Sequence, residues 1–217
     1  MRMRRKPWAR PELDASEVYI KNPHDYYEKW QSAFDKEQPL IMELGCGKGG
    51  FISQKAFMHP EKNFIAFDIK SEVLAIAKRN IEAVYGSTHC PNVKITAFDI
   101  ERISLVVSPK DTVEEIYINF CNPWPKDRHK KRRLTHTRQL NNYKTFLKPG
   151  GKIFFKTDDD ELFTESLDYF NEAGFEIEFI TYDMAENPLP ENIVTEHEKM
   201  FTEQGIKIKG LIAVNKA

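Results

Sequence analysis

Leu40–Asp68, LIMELGCGKGGFISQKAFMHPEKNFIAFD, is the stretch that decides the fold. Leu40–Leu44 is a short apolar run of strand length. Glycines follow, then a helical pattern near Gly50–Met58, then a second strand over Phe64–Phe67 that ends at Asp68. Strand, tight turn, helix, strand is the repeating unit of a parallel sheet. Outward from it the alternation continues. Helix Ser71–Tyr85 precedes strand Val93–Ala97. Strand Glu115–Phe120 precedes a helix from about Leu134 to Leu147. Strand Lys152–Lys156 precedes a helix at about Glu161–Ala173, and strands Phe175–Thr181 and Ile206–Val214 close the chain around a long polar loop. Upstream, residues 22–34 read as a helix with Asn22 as N-cap, Pro23 at its first position, and Tyr26, Tyr27, Trp30 and Phe34 on one stripe. Residues 1–20 read as a basic arm and a candidate mobile segment. The expectation is one α/β domain over 1–217, a mostly parallel sheet with helices on both faces.

At 217 residues, with 41% hydrophobic and 30% charged content, the chain is globular rather than disordered. No apolar run approaches the roughly 20 residues of a membrane span, and the basic start MRMRRKPWAR leads into no apolar segment, so a secretory signal is not expected. Cys46, Cys90 and Cys121 are odd in number and lack CxxC spacing, which argues for a reducing, cytoplasmic setting and against a zinc site. The net charge of −1 conceals strong asymmetry. Residues 1–10 carry +5, residues 126–133 carry +5, and residues 157–205 hold fifteen acids against the single Lys199. Such runs are commonly solvated surface, but two cationic runs in a chain of this net charge suit a polyanion.

Candidate chemistry sits at strand ends, where open parallel sheets bind ligands. Gly45, Gly47 and Gly50 satisfy G-x-G-x-x-G, and a helix N-terminus follows them. Glu43 either binds an amine or fixes that turn. Asp68 ends the second strand, placed to accept from ribose hydroxyls. Asp99 follows the third, placed to accept from an adenine amino group, although each acid alone also reads as a loop cap. After the strand Glu115–Phe120 come Asn122-Pro123-Trp124-Pro125, which continue neither strand nor helix, and then the cations Lys126, Arg128, Lys130, Lys131, Arg132 and Arg133. An amide can orient a planar base, and cations can hold phosphates. Trp124 either stacks on a base or packs under the loop. His129, set among cations, reads as a neutral contact. Asp158 lies at the same sheet edge as Asn122, while Asp159, Asp160 and Glu161 suit a helix start. Thr195 and Glu198 read as an N-cap and the partner closing a capping box.

These residues carry a resemblance. Glu43–Gly49 (ELGCGKG), Asp68, Asp99, NFCNPWPKDRHKKRR from Asn119, FKTD from Phe155, TEHE from Thr195 and the basic start together resemble the bacterial tRNA (guanine-N7-)-methyltransferases, within the Rossmann-like class I S-adenosylmethionine-dependent methyltransferases. The resemblance spans essentially the whole chain. It implies a seven-stranded sheet with an antiparallel last strand, S-adenosylmethionine as methyl donor, and a guanine in the variable loop of tRNA as target. It maps Glu43, Asp68, Asp99 and Asn122 onto cofactor positions, and Lys126, Asp158, Thr195, Glu196, His197 and Glu198 onto substrate positions. Asn122 stands where the family usually has Asp in S-D-P-W-P-K, which leaves it an orienting role, with Asp158 as the next catalytic candidate. No metal and no membrane are expected, and the chain reads as monomer or homodimer. Three rivals are weaker. An NAD-dependent oxidoreductase explains only the glycines and Asp68, and a non-catalytic RNA-binding module leaves the strand-end acids without purpose. Methylation of adenine or glutamine by an Asn-Pro-Pro-aromatic turn does not fit the Trp-Pro order.

Overall fold

The computed structural model describes residues 6–216; the first five residues of the basic start lie outside the described residues. The chain divides into two compact units, 1–111 and 112–217.

In the first unit, α1 (Ala9–Asp14) is followed by β1 (Tyr19–Ile20), β2 (Leu40–Leu44), α2 (Gly50–Met58), β3 (Asn63–Asp68), α3 (Ser71–Tyr85) and β4 (Val93–Ala97). The strands lie in the order β1-β4-β3-β2. The β1–β4, β4–β3 and β3–β2 pairs are all parallel, with Leu44 opposite Phe67 and Asp68 opposite Ala97. β2 is buried along its whole length, as a strand covered on both faces must be, and this accounts for its unbroken apolar run. α3 buries Val73, Leu74, Ala77 and Ile81 at helical spacing and stops at Gly86, whose φ is 62°.

In the second unit, β5 (Val113–Asn119), α4 (Thr137–Lys144), β6 (Leu147–Thr157), α5 (Asp160–Glu172), β7 (Phe175–Thr181), α6 (Glu196–Glu203) and β8 (Lys209–Asn215) follow one another. Strand order is β5-β6-β8-β7. β5 and β6 are parallel, and β8 is antiparallel to both β6 and β7, as expected of the last strand.

Several sequence expectations are corrected. There are eight strands among the described residues rather than seven, the extra one being β1. Residues 9–20 are not a free arm: Ala9 and Leu13 are buried, Glu12 accepts from Arg79 Nε of α3 (2.7 Å), and β1 pairs with β4. The expected helix over 22–34 is instead two 3-10 turns, Pro23–Tyr26 and Trp30–Ala33. Between them Glu28 takes φ 67°, because Glu28 N and Trp30 N both donate to the buried Asp111 carboxylate (3.1 Å each). That tertiary acceptor outcompetes the helical ladder. α4 is shorter than expected because β6 begins at Leu147, opposite Val113, and carries Lys148–Gly151 as strand. A helix, α6, occupies part of the expected polar loop.

Candidate functional site

The first unit gathers its candidates at the C-terminal ends of three adjacent parallel strands. Gly45, Gly47 and Gly49 take φ of 86°, 52° and 75°, a region that side chains avoid. The turn is clipped to β3. Gly45 N and Cys46 N both donate to Phe67 O (2.9 and 3.0 Å), and Gly47 N donates to Asp68 Oδ2 (3.0 Å). Asp68 Oδ1 accepts from Lys70 N (3.0 Å), so each oxygen of this half-buried carboxylate spends one lone pair on the loop and keeps another for a ligand. A Cβ at Gly47 would meet nothing within 4 Å, which leaves room above the turn. Glu43 is buried, at 2% exposure. Asp99 caps the turn Ile100–Leu105, its Oδ1 accepting from Glu101 N (3.1 Å). Both acids therefore do act as loop caps, and both retain acceptor capacity. The glycine fingerprint needs one correction. Gly50 merely opens α2, and a Cβ there meets nothing within 4 Å. It is Gly49 that lets α2 approach α3, since a Cβ on it would lie 2.8 Å from Ala77 Cβ. These features fit a nucleoside-bearing ligand such as S-adenosylmethionine: an acid for ribose at one strand end, a second acid at the next, and an open glycine turn.

In the second unit, Asn119 of β5 lies opposite Lys156 of β6, so Asn122 and Asp158 follow at the same sheet edge. Phe120 takes φ 52°, with its N–H donated to Lys156 O (2.9 Å). Asn122 is exposed, and its Oδ1 accepts from Trp124 N (3.1 Å), closing a turn in which Trp124 has φ 43°. Trp124 is half-buried; the Arg132 guanidinium lies 4.2 Å from its ring and His129 packs at 5.7 Å. The indole is thus neither a core residue nor a bare platform. Arg128 Nε donates to His129 Nε2 (3.2 Å).

The basic run, a 3-10 turn over Asp127–Arg132, is not uniform. Lys126, Arg128, Lys131 and Arg132 are exposed. Arg133, expected to hold phosphate, is 0% exposed. It bonds Pro123 O through Nε (2.6 Å), Glu161 through Nη2 (3.2 Å), and Glu165 through Nη1. Its guanidinium is spent inside the fold, bracing the Asn-Pro-Trp-Pro turn. Lys130 is likewise drawn to Glu165 (2.5 Å), Glu161 (3.1 Å) and Asp127 (3.2 Å), bonds that raise its pKa. Burial pushes the Glu165 carboxyl up, but bonds from Lys130 and Tyr169 and the Arg133 charge outweigh it, and its pKa ends below the usual value. Burial pushes the Cys121 thiol up to about 12 and, aided by Glu43 and Asp68, raises Cys46 well above its ordinary value, so neither is a nucleophile at neutral pH.

Asp158 is half-buried, and its carbonyl accepts from Lys209 Nζ (3.0 Å). Asp159 caps α5, its Oδ1 accepting from Leu162 N (2.7 Å). Thr195 caps α6 as expected, its Oγ1 accepting from Glu198 N (3.1 Å). The capping box does not close, because the Glu198 carboxylate turns inward to Lys156 Nζ (2.6 Å) and Asn192 Nδ2 (2.7 Å). His197 is exposed and stacks on Phe120, ring centroids 5.8 Å apart. Sequence reasoning passed over Lys156 and Phe120. A lone lysine in the apolar strand IFFKT was the available signal for the first; nothing local marks the second. Among the described residues no cluster of His, Cys, Asp and Glu is placed to hold a metal, and no helix is long and apolar enough to cross a membrane.

Solved structures similar in fold include the 16S rRNA methyltransferase KamB (TM-score 0.61, 14% identity, covering 88% of this chain and 92% of that one) and a putative S-adenosylmethionine-dependent methyltransferase from Listeria monocytogenes (TM-score 0.56, 15% identity, 83% and 92%). The fold is the Rossmann-like α/β fold of methyltransferases. Residues 37–211 match a family described as "Putative methyltransferase". Relatives called tRNA (guanine-N(7)-)-methyltransferase include those of Clostridium beijerinckii (59% identity over 99% of both chains) and Acetivibrio thermocellus (51% over 100% of both). The chain belongs to the tRNA (guanine-N(7)-)-methyltransferase family.

Proposed function

We propose that this chain transfers a methyl group from S-adenosylmethionine to N7 of a guanine in the variable loop of tRNA, by in-line attack without a general base. The observation that carries the reading is the end-to-end identity with relatives bearing that name. The geometry supports it. In the first unit, Asp68 takes the ribose hydroxyls and Asp99 the adenine amine, with Glu43 and the turn through Gly45 and Gly47 shaping the rest. When bound, the sulfonium cofactor supplies an electrophilic methyl group. In the second unit, Asn122 holds the guanine through its amide, its direction set by the Trp124 N–H and by Arg133 on the Pro123 carbonyl. Guanine N7 has a lone pair and no proton, so no residue need remove one, and the contribution asked of the chain is alignment and exclusion of water. Lys126, Asp158, Glu196 and His197 face the nucleotide; Arg128, Lys131 and Arg132 face phosphates. A tRNA-modifying reaction suits a cytoplasmic protein.

Bulk tRNA incubated with the protein and S-adenosylmethionine, then digested for mass analysis, should gain 7-methylguanosine at a variable-loop position. A methyl group on another atom or another base would refute the reading.

A further inference from the structure

The connection between β7 and β8, residues 182–208, carries the Thr195–Glu198 segment and is tied down at three places. At its ends, Lys207 Nζ lies 3.1 Å from Asp183 Oδ2, and Met184 N donates to Ile208 O (2.8 Å). In the middle, β6 reaches it through Lys156. This lysine is 2% exposed, and its ammonium donates to Asn192 Oδ1 (2.9 Å), Ile193 O (2.9 Å) and Glu198 Oε2 (2.6 Å). An ammonium has three donors, and these three bonds all go to residues 192–198. Glu198, 5% exposed, completes the network by accepting from Asn192. Through its carbonyl, the same Lys156 takes the N–H of Phe120, the ring on which His197 stacks. One residue of β6 thus binds both the end of β5, which leads into the Asn122 turn, and the segment that carries Glu196 and His197. A buried ion pair is a poor source of stability compared with apolar packing of the same shape, but in some folds a buried polar network fixes a single arrangement.

We propose that Lys156 is a positioning residue for the tRNA substrate: its ammonium sets the conformation of residues 192–198 and so the place where Glu196 and His197 meet the nucleotide, with Glu198 its counter-ion rather than a substrate contact. The inference rests on the reading of that segment as substrate-facing. Two variants test it. Lys156→Met keeps the stem and removes the charge. Lys156→Met/Glu198→Leu removes both charges and leaves no buried carboxylate alone. Both should bind S-adenosylmethionine as the parent does. Both should lose about a hundredfold in kcat/KM for tRNA, mainly through KM, because the segment is misplaced. The double variant should melt above the single one. A double variant that regains the parent's melting temperature and tRNA KM together would show that Lys156 serves the fold alone, and would overturn the proposal. So would a folded Lys156→Met with the parent's KM. Glu196→Ala and His197→Ala separate the two levels. If neither raises KM for tRNA, the substrate-facing reading fails. If they raise it and the Lys156 variants do not, only the positioning role fails.

Discussion

Asp68 does two jobs with one carboxylate. It secures the glycine turn through Gly47 N and Lys70 N, and its remaining lone pairs are the acceptors proposed for the ribose hydroxyls. Asp68→Ala should weaken S-adenosylmethionine binding by about 1.5–3 kcal/mol, the scale of hydrogen bonds to a charged group. Titration calorimetry showing unchanged affinity in a folded variant would remove the assignment. Asn122 differs in kind: its amide does not titrate near neutral pH, and the role proposed for it is alignment. Asn122→Ala loses both the amide and the bond from Trp124 N, and should slow single-turnover methyl transfer by about tenfold or more at saturating cofactor and tRNA. Asn122→Asp keeps an oxygen acceptor of the same shape and should stay active. A fully active Asn122→Ala enzyme would pass the role to Asp158.

Two neighbouring glycines at the start of α2 make opposite demands. Gly49 has φ 75°, and a Cβ would press on Ala77 of α3 at 2.8 Å. Gly49→Ala should therefore cost about 2–4 kcal/mol, combining left-handed strain with overpacking between the helices. Gly50 has neither constraint, and Gly50→Ala should be neutral or stabilising by up to about 1 kcal/mol. Denaturant unfolding of the two variants checks both, and similar losses would show that the helix contact is not what Gly49 serves. The contact of α5 with the basic turn is governed by charge. Glu165 titrates below its ordinary value in the folded state, so its contribution is full above the unfolded value of 4.5 and disappears as pH falls through the lower folded value. The stability gap between the parent and Glu165→Gln should accordingly be widest near neutrality and narrow in acid. Unfolding curves that keep the gap constant would contradict the pairing with Lys130 and Arg133.

For the molecule as a whole, net charge says little and its distribution says more. The acidic stretch 157–205 does not merely balance the cationic run 126–133: Glu161 and Glu165 hold a half-buried Lys130 and bury Arg133, leaving Lys126, Arg128, Lys131 and Arg132 on the surface. Lys126, Arg128 and Lys131 changed together to Ala should lower tRNA affinity and flatten its dependence on salt by about 0.7–0.9 per lost phosphate contact. Cofactor affinity should hold. A salt slope equal to the parent's would reduce the run to solvated surface. Changing Arg133 instead should show first in the melting temperature, since its guanidinium braces Pro123 and not a partner molecule.

The alternation of strands and helices, the strand-end positions of Glu43, Asp68 and Asp99, and the break at Asn122–Pro125 were all legible in the amino-acid order. Periodicity, glycine and proline act over a few residues and need no distant partner. The tertiary structure decided the choices between chemically similar neighbours. Gly49 rather than Gly50 became the packing glycine because Ala77 lies against it. Arg133 rather than Lys126 went inside because two acids 28 and 32 residues away receive it. Residues 22–34 gave up a helix for the Asp111 carboxylate, 81 residues from Trp30. Lys156, unremarkable in sequence, took charge of a loop whose nearest bonded residue is 36 positions on. Burial of a charge or close approach of a backbone depends on what faces it across the fold, and residues so far apart in the chain meet only when the strands and helices between them have packed.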